Sequence, residues 1–173
     1  VLAEMPYVRL REKLPLLRDY PRASFSNLVS LAQGVVDEMM YLPSLVFDRA
    51  TCSVIIGEHR IPLRPFDFAF YLFCARATKP VPAGKRFSEK DRKKLWRLYE
   101  RLAPSYGHRE RVRKSLSGAQ RDALLTKSAS TIRRVLTQAL GKEMARQYQV
   151  SSIGQYGDVR YTILLERTKI EVR

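Results

Sequence analysis

Leu63-Arg64-Pro65-Phe66-Asp67-Phe68-Ala69-Phe70-Tyr71-Leu72-Phe73-Cys74-Ala75 is the stretch on which the architecture turns. Pro65 suits a first helical position, where its missing N–H costs nothing and its φ is already helical. The residues after it are too apolar for a surface helix, so the segment reads as the centre of the core. Upstream, Leu45-Val46-Phe47-Asp48, Ser53-Val54-Ile55-Ile56 and Ile61-Pro62-Leu63 are short β-prone runs, with Gly57-Glu58-His59 as the turn between the last two. A hairpin or meander therefore precedes the helix. Pro62 has no N–H to donate to a ladder, which puts its strand at an edge or brings it to its end.

Downstream, Lys79-Pro80-Val81-Pro82-Ala83-Gly84 reads as a loop, and Ser88 with Asp91 forms a near capping box in which Asp stands for the usual Glu or Gln. In the helix that follows, Leu95, Trp96, Leu98, Tyr99 and Leu102 line one side, while Lys90, Arg92, Lys93, Lys94, Arg97 and Arg101 fall largely elsewhere. Pro104 to His108 breaks that helix, Arg109, Arg111, Arg113 and Lys114 follow in a short charged segment, and a second helix is expected over Ala119 to Leu125. Ser128 or Ser130 then caps a helix with Ile132, Val135, Leu136, Ala139 and Leu140 facing inward. Arg133, Arg134, Thr137 and Gln138 face away, and Gly141 is the stop. A strand through Ile153, a tip at Gly154-Gln155-Tyr156-Gly157-Asp158 and a returning strand from Arg160 to Leu165 make a hairpin, and Ile170-Glu171-Val172 adds a closing strand.

Charge points to a partner. Residues 84–147 hold 18 Lys or Arg against 6 Asp or Glu, a net of +12 out of +15 for the whole chain. A solvated helix face usually interleaves acids with bases, and here the bases outnumber them threefold. So local a field attracts a polyanion, and nucleic acid is the usual one, because each neutralised phosphate releases condensed counterion. Arginine, glutamine and threonine are also the side chains that reach base edges and phosphates.

At 173 residues and 45% hydrophobic composition the chain can bury one proper core. It has no run of the ~18 apolar residues a membrane span needs, and no leader pattern at its start, so a cytoplasmic protein without membrane contact is expected. Cys52, in an expected strand, and Cys74, in the buried helix, read as small hydrophobes and supply neither a disulfide framework nor a zinc site. Residues 1–43 read as a strand (Met5 to Arg11), a linker punctuated by Pro15 and Pro21, and an amphipathic helix from Ser24 to Met40; residues 44–173 read as one domain with a basic helical insertion at about 84–127. A chain that opens at Val1 in strand-like sequence is expected to be a fragment or a processed product.

The order of elements, a small sheet, a buried helix, a basic helix, a helix exposing Arg and Gln and a Gly-rich hairpin, is that of a winged helix. Fold class is thus expected to be α+β, a winged helix-turn-helix with a small N-terminal sheet, the basic helical insertion and a C-terminal hairpin wing. Ser53 to Leu72 resembles the sheet and first helix of response-regulator DNA-binding domains, whose Leu-Thr-Pro-x-Glu-Phe-x-x-Leu-Leu run falls on Leu63 to Leu72, with Arg64 in place of the capping Thr, Asp67 in place of Glu and a longer basic segment between the first and the recognition helices. Thr131-Ile132-Arg133-Arg134-Val135-Leu136 resembles their recognition helix, and Ile153 to Ile163 their wing. Val1 to Arg11, Arg22 to Ser26 and Ile132 to Gly141 resemble the C-terminal half of a CRISPR-associated family of type III systems. Its members begin with a CARF domain, a Rossmann-like sensor of cyclic oligoadenylate, and are grouped with ring nucleases. That resemblance implies an upstream CARF domain as partner, a role in antiviral defence and messenger cleavage in a part of the protein other than this chain.

A nucleic acid, duplex DNA foremost, is the expected partner. Arg133, Arg134, Thr137 and Gln138 would approach a groove, Lys93, Lys94, Arg97, Arg113 and Lys114 would contact phosphate, and Tyr156 and Arg160 would touch the adjacent backbone from the wing. Two other readings stand beside it. A protein-interaction or homodimerisation module would use the Ser24 to Met40 helix. A HEPN-like ribonuclease would use Arg101 and His108, whose six-residue separation fits the loose Arg…His spacing of that family. No metal site and no cofactor are expected, since acids, His and Cys are scattered and no P-loop or dinucleotide glycine fingerprint occurs.

Overall fold

The computed structural model describes residues 42–102, 106–154 and 158–173, of which residues 43–173 belong to one compact unit. The strand and the amphipathic helix expected before residue 42 lie outside the described residues, as do Pro104 and Tyr156. In chain order the elements are β1 (Leu45–Asp48), β2 (Ser53–Ile56), β3 (His59–Pro62), α1 (Pro65–Arg76), β4 (Val81–Pro82) and α2 (Glu89–Glu100). Then follow α3 (Tyr106–Ser117), α4 (Arg121–Leu140), α5 (Lys142–Tyr148), β5 (Ser151–Ile153), β6 (Arg160–Thr162) and β7 (Ile170–Val172). The described residues are thus α+β, with two small sheets and five α-helices.

One sheet has the order β3-β2-β1-β7, antiparallel except that β7 runs parallel to β1; the other, β4-β6-β5, is antiparallel throughout. Pro62 sits on β3, at the sheet edge, where a missing N–H is harmless. Helix α1 begins at Pro65 and buries every residue from Phe66 to Ala75. Aromatic rings fix it on three sides. Phe68 and Tyr71 meet Phe47 of β1 edge-on at 5.5 and 5.0 Å, Phe70 meets Tyr161 of β6 at 5.3 Å, and Phe66 meets Tyr99 of α2 at 5.6 Å. Each fully buried side chain of this size contributes roughly 1.5–3 kcal/mol of transfer free energy. The Tyr71 hydroxyl donates to the Tyr148 carbonyl, and the Tyr148 hydroxyl donates to the Pro43 carbonyl at 2.8 Å, which ties the end of α5 to α1 and to the approach to β1. Burial pushes the Tyr148 phenol up to about 12, so this link holds across the physiological range.

Several local expectations need correction. Val81–Pro82, read as loop, is a strand: Val81 pairs with Tyr161, and the Ala83 N–H donates to the Val159 carbonyl at 2.8 Å. Arg109 to Lys114, read as an irregular charged segment, is helical within α3, because Val112 and Leu116, four apart, supply an inward face. Neither Ser128 nor Ser130 caps a helix, and the break expected between Leu125 and Ser128 does not occur. Helix α4 runs unbroken for 20 residues, and Ser128 lies buried in its middle, donating from Oγ to Asp67 Oδ1 at 2.7 Å. A serine whose hydroxyl finds a partner on another helix has no need to compete with its own backbone. Gly141, at φ +78°, stops α4 as expected and also starts α5, a short helix that the sequence pattern does not announce; Ala145 and Tyr148 anchor it inward. His59 belongs to β3 and not to the turn, and Cys52 lies in the turn before β2 with φ +50°. The Ser88–Asp91 capping box is present in both directions.

Asp67 links the buried helix to α4. Its carboxylate accepts from Ser128 on one oxygen and from Arg64 Nε on the other at 3.0 Å, while Arg64 also reaches Thr131 Oγ1 at 3.4 Å. Asp67→Ala leaves the buried Ser128 hydroxyl without its acceptor and should lower the unfolding free energy by about 1–3 kcal/mol. Arg64→Ala removes a side chain that is 66% exposed and should cost less than about 1 kcal/mol. Urea denaturation of the two variants checks the ranking.

Candidate nucleic-acid interface

Helix α4 buries Leu125, Ser128, Ala129, Ile132 and Leu136 against the core. That inward stripe forces the residues between onto the outside, and Lys127, Ser130, Arg133, Arg134 and Gln138 are exposed, with Thr137 half-buried beside them. From Ala123 to Gly141 there is no acid. Arg133 and Arg134 have no ion-pair partner among the described residues, so both guanidinium groups are available. At 1.5 Å per residue, Lys127 to Gln138 spans about 16 Å of helix. Four members of this face, Arg133, Arg134, Thr137 and Gln138, are expected from the sequence. Lys127 and Ser130 are not, because a helix starting at Ser128 or Ser130 leaves Lys127 outside it; their signal is the spacing 127, 130, 134 on one helical face.

The cations on α2 divide between its two flanks. Lys94 and Arg97 line a cleft of about 470 Å3 with Arg76, Lys79 and Arg101, over a floor that includes Phe73, Val81 and Leu98. Lys93 and Arg97 line a second, smaller groove of about 310 Å3 toward α3, together with Arg92, Trp96 and Arg113. Here the acids intervene. Glu89 pairs with Arg92 and, at 4.0 Å, with Lys93, and Arg113 pairs with Glu110 at 3.5 Å. Lys114 is exposed near the end of α3. Arg76, Lys79 and Arg101 are not among the phosphate-contacting residues expected from sequence: only folding brings Arg76 and Lys79, at and after the end of α1, beside α2, whereas the spacing of Arg101 from Lys94 and Arg97 is a signal the sequence does carry.

At the hairpin, Arg160 is held rather than free. Its Nε and one terminal nitrogen each donate to Asp158 at 3.1 Å, and Arg86 approaches the same carboxylate at 2.6 Å. Gly154 is required where it stands: it has φ +99°, and a Cβ there would lie 2.2 Å from the Asp158 carbonyl oxygen. Tyr156 lies outside the described residues. Tyr161 is a core residue, bonded to the Thr126 hydroxyl at 3.1 Å and packed on Phe70. Arg121 is likewise committed, donating to the Gly84 carbonyl and stacking its guanidinium 5.7 Å from the Phe87 ring centre.

Arg101 follows the last turn of α2 with its side chain on the 470 Å3 cleft, and His108 is exposed in the first turn of α3. His108 is not among the residues that line that cleft, and the two share no hydrogen bond among the described residues. No group of three or more His, Cys, Asp or Glu there is placed to hold a metal ion, and no helix there is long and apolar enough to cross a membrane. Comparison of the chain with protein-family models, curated proteins and solved structures finds no match.

Hydrogen bonds from Arg160, then from Arg86, hold the Asp158 carboxyl below its usual value. A depressed folded-state value means the carboxylate stays charged, and the two arginines stay bound, as pH falls through the unfolded value; the pairing breaks only in stronger acid. The Arg160 Nε–H resonance should therefore remain protected down to about pH 4. In Asp158→Asn it should exchange rapidly at every pH. Rapid exchange in the unaltered chain at neutral pH would show that the pairing does not form in solution.

Proposed function

We propose that this chain is a nucleic-acid-binding winged-helix region that docks on a duplex through α4. The observation that carries the reading is the outward face of α4, which offers Lys127, Ser130, Arg133, Arg134, Thr137 and Gln138 over about 16 Å without an acid among them. The topology supports it. A meander, a buried helix, the α2–α3–α4 succession and the β5–β6 hairpin pinned to β4 follow the winged-helix order, with α4 as recognition helix and the hairpin as wing. In this arrangement α2 and α3 supply phosphate contacts through Lys94, Arg97 and Lys114. Lys93 and Arg113 serve after exchanging a surface carboxylate for a phosphate, an exchange that costs little because exposed pairs are weak.

The resemblance of residues 1–11, 22–26 and 132–141 to CARF-containing CRISPR-associated proteins extends the proposal. In the intact protein, a cyclic oligoadenylate bound upstream would change the affinity of this region for its duplex, and the biological setting would be antiviral defence in the cytoplasm. Equal duplex affinity of the full-length protein with and without the messenger would remove the regulatory part and leave the docking part standing.

Arg133→Ala/Arg134→Ala should weaken duplex binding at least tenfold while leaving the far-UV circular dichroism unchanged. It should also flatten the dependence of log K on log salt, by about one for each phosphate that is no longer neutralised. Titration of a labelled duplex across a salt series measures both effects. An unaltered affinity and slope would move the function to a protein partner.

A further inference from the structure

We propose that the 470 Å3 cleft between α2 and the end of α1 is a binding track for single-stranded nucleic acid, separate from the duplex face of α4. Nucleic acid as partner is common to this and the preceding reading, but the track does not rest on α4 being the duplex contact. Three features of the cleft point to it. First, Arg76, Lys79, Lys94, Arg97 and Arg101 converge on it from both walls, and none of the five has an ion-pair partner among the described residues. Like charges gathered around a concave surface focus their field and raise the local concentration of an anion. Second, only one acid lines the cleft: Asp91, held in the helix cap where it accepts from the Ser88 hydroxyl at 2.7 Å and from its N–H at 3.3 Å, sets a single negative charge against the five positive ones. Third, the floor is apolar, with Phe73, Pro80, Val81 and Leu98 among its residues.

The combination favours a single strand over a duplex. A duplex offers a convex ridge of phosphates with its bases stacked inside, and it has no use for an apolar floor in a concave cleft. A single strand exposes base faces that gain by leaving water, while its phosphates follow the cationic rim. Lys94, Arg97 and Arg101 recur at spacings of three and four, so they fall on one side of α2 along about 10 Å of axis. That is the reach of two to three nucleotides at ~3.4 Å per step. The volume also lies within the ~300–1,000 Å3 typical of small-ligand pockets, enough for a base and sugar with their phosphates.

The test uses a labelled 12-nucleotide single strand and the duplex of the same sequence, followed by fluorescence anisotropy at low salt. Arg101→Glu and, on the opposite wall, Arg76→Gln/Lys79→Gln should each weaken single-strand binding tenfold or more and duplex binding less than threefold. Arg133→Gln/Arg134→Gln should show the reverse preference. All substituted side chains are exposed, and circular dichroism verifies the fold of each variant. Equal loss for both substrates in the cleft variants, or single-strand binding that fails only in the α4 variant, overturns the track and leaves nucleic acid as the partner. Binding of neither substrate by the unaltered chain overturns the track together with the nucleic-acid reading itself.

Discussion

Everything in this fold is arranged around a helix that has no face to give to water. A helix with a polar side needs cover on one flank, whereas α1 buries ten consecutive residues and must be enclosed. The β1–β2–β3–β7 sheet covers the Phe68 and Tyr71 side, β6 covers Phe70, α2 covers Phe66, and α4 supplies the buried partner for Asp67. This explains why so small a unit contains two sheets: neither is wide enough to enclose the helix alone. It also explains why the C-terminal residues return to the first sheet, where β7 pairs with β1 and the Arg173 N–H donates to the Phe47 carbonyl at 2.8 Å.

Enclosure leaves the charged residues no place but the periphery, and so it produces both cationic surfaces. Once Leu95 and Tyr99 of α2 are committed inward, Lys94, Arg97 and Arg101 must line one flank, and Lys93 must point toward the other. Once Ile132 and Leu136 of α4 are buried, Arg133, Arg134 and Gln138 must face out. Exposed charges of this kind contribute little to folding, since water solvates them well and salt screens their repulsion. Their concentration on these helices is therefore not a requirement of stability, and it is the feature on which the proposed nucleic-acid partner rests.

What the sequence reveals follows from how local the responsible interactions are. The buried helix, the meander with Pro62 at its edge, the Ser88–Asp91 capping box and the stop at Gly141 depend on residues within a few positions of one another, and each is legible. The outward face at Arg133, Arg134 and Gln138 is legible for the same reason, since its apolar counterpart repeats at helical spacing. Ser128 misleads, because its hydroxyl is satisfied by Asp67, 61 residues away, and no local rule separates a serine that caps a helix from one that braces two. Val81 and Pro82 mislead likewise: a two-residue strand exists by virtue of its partner Tyr161. The five-cation cleft is of the same kind, because Arg76 and Lys79 come beside α2 through the turn at the end of α1. Arg160 carries the converse lesson. It stands out in sequence as a free cation on a hairpin, yet it is already engaged by a carboxylate two residues away.

If α4 reads a duplex as proposed, the Asp67 bridge has a consequence for recognition as well as for stability. Reading base edges requires side chains held to within a fraction of an ångström, and sites on rigid elements achieve this better than sites on loops. Helix α4 could rotate about its axis if only apolar contacts held it, because Leu125, Ile132 and Leu136 can slide against neighbours of similar shape. A hydrogen bond cannot slide in that way. Ser128 to Asp67 fixes the rotation near the middle of α4, and Arg64 to Thr131 adds a second, more exposed contact one turn further on. The side chains that would enter a groove, Arg133 and Arg134, follow within five and six residues of Ser128, on the same continuous helix. The bond that replaces a local cap at Ser128 thereby sets the direction in which the cationic face points.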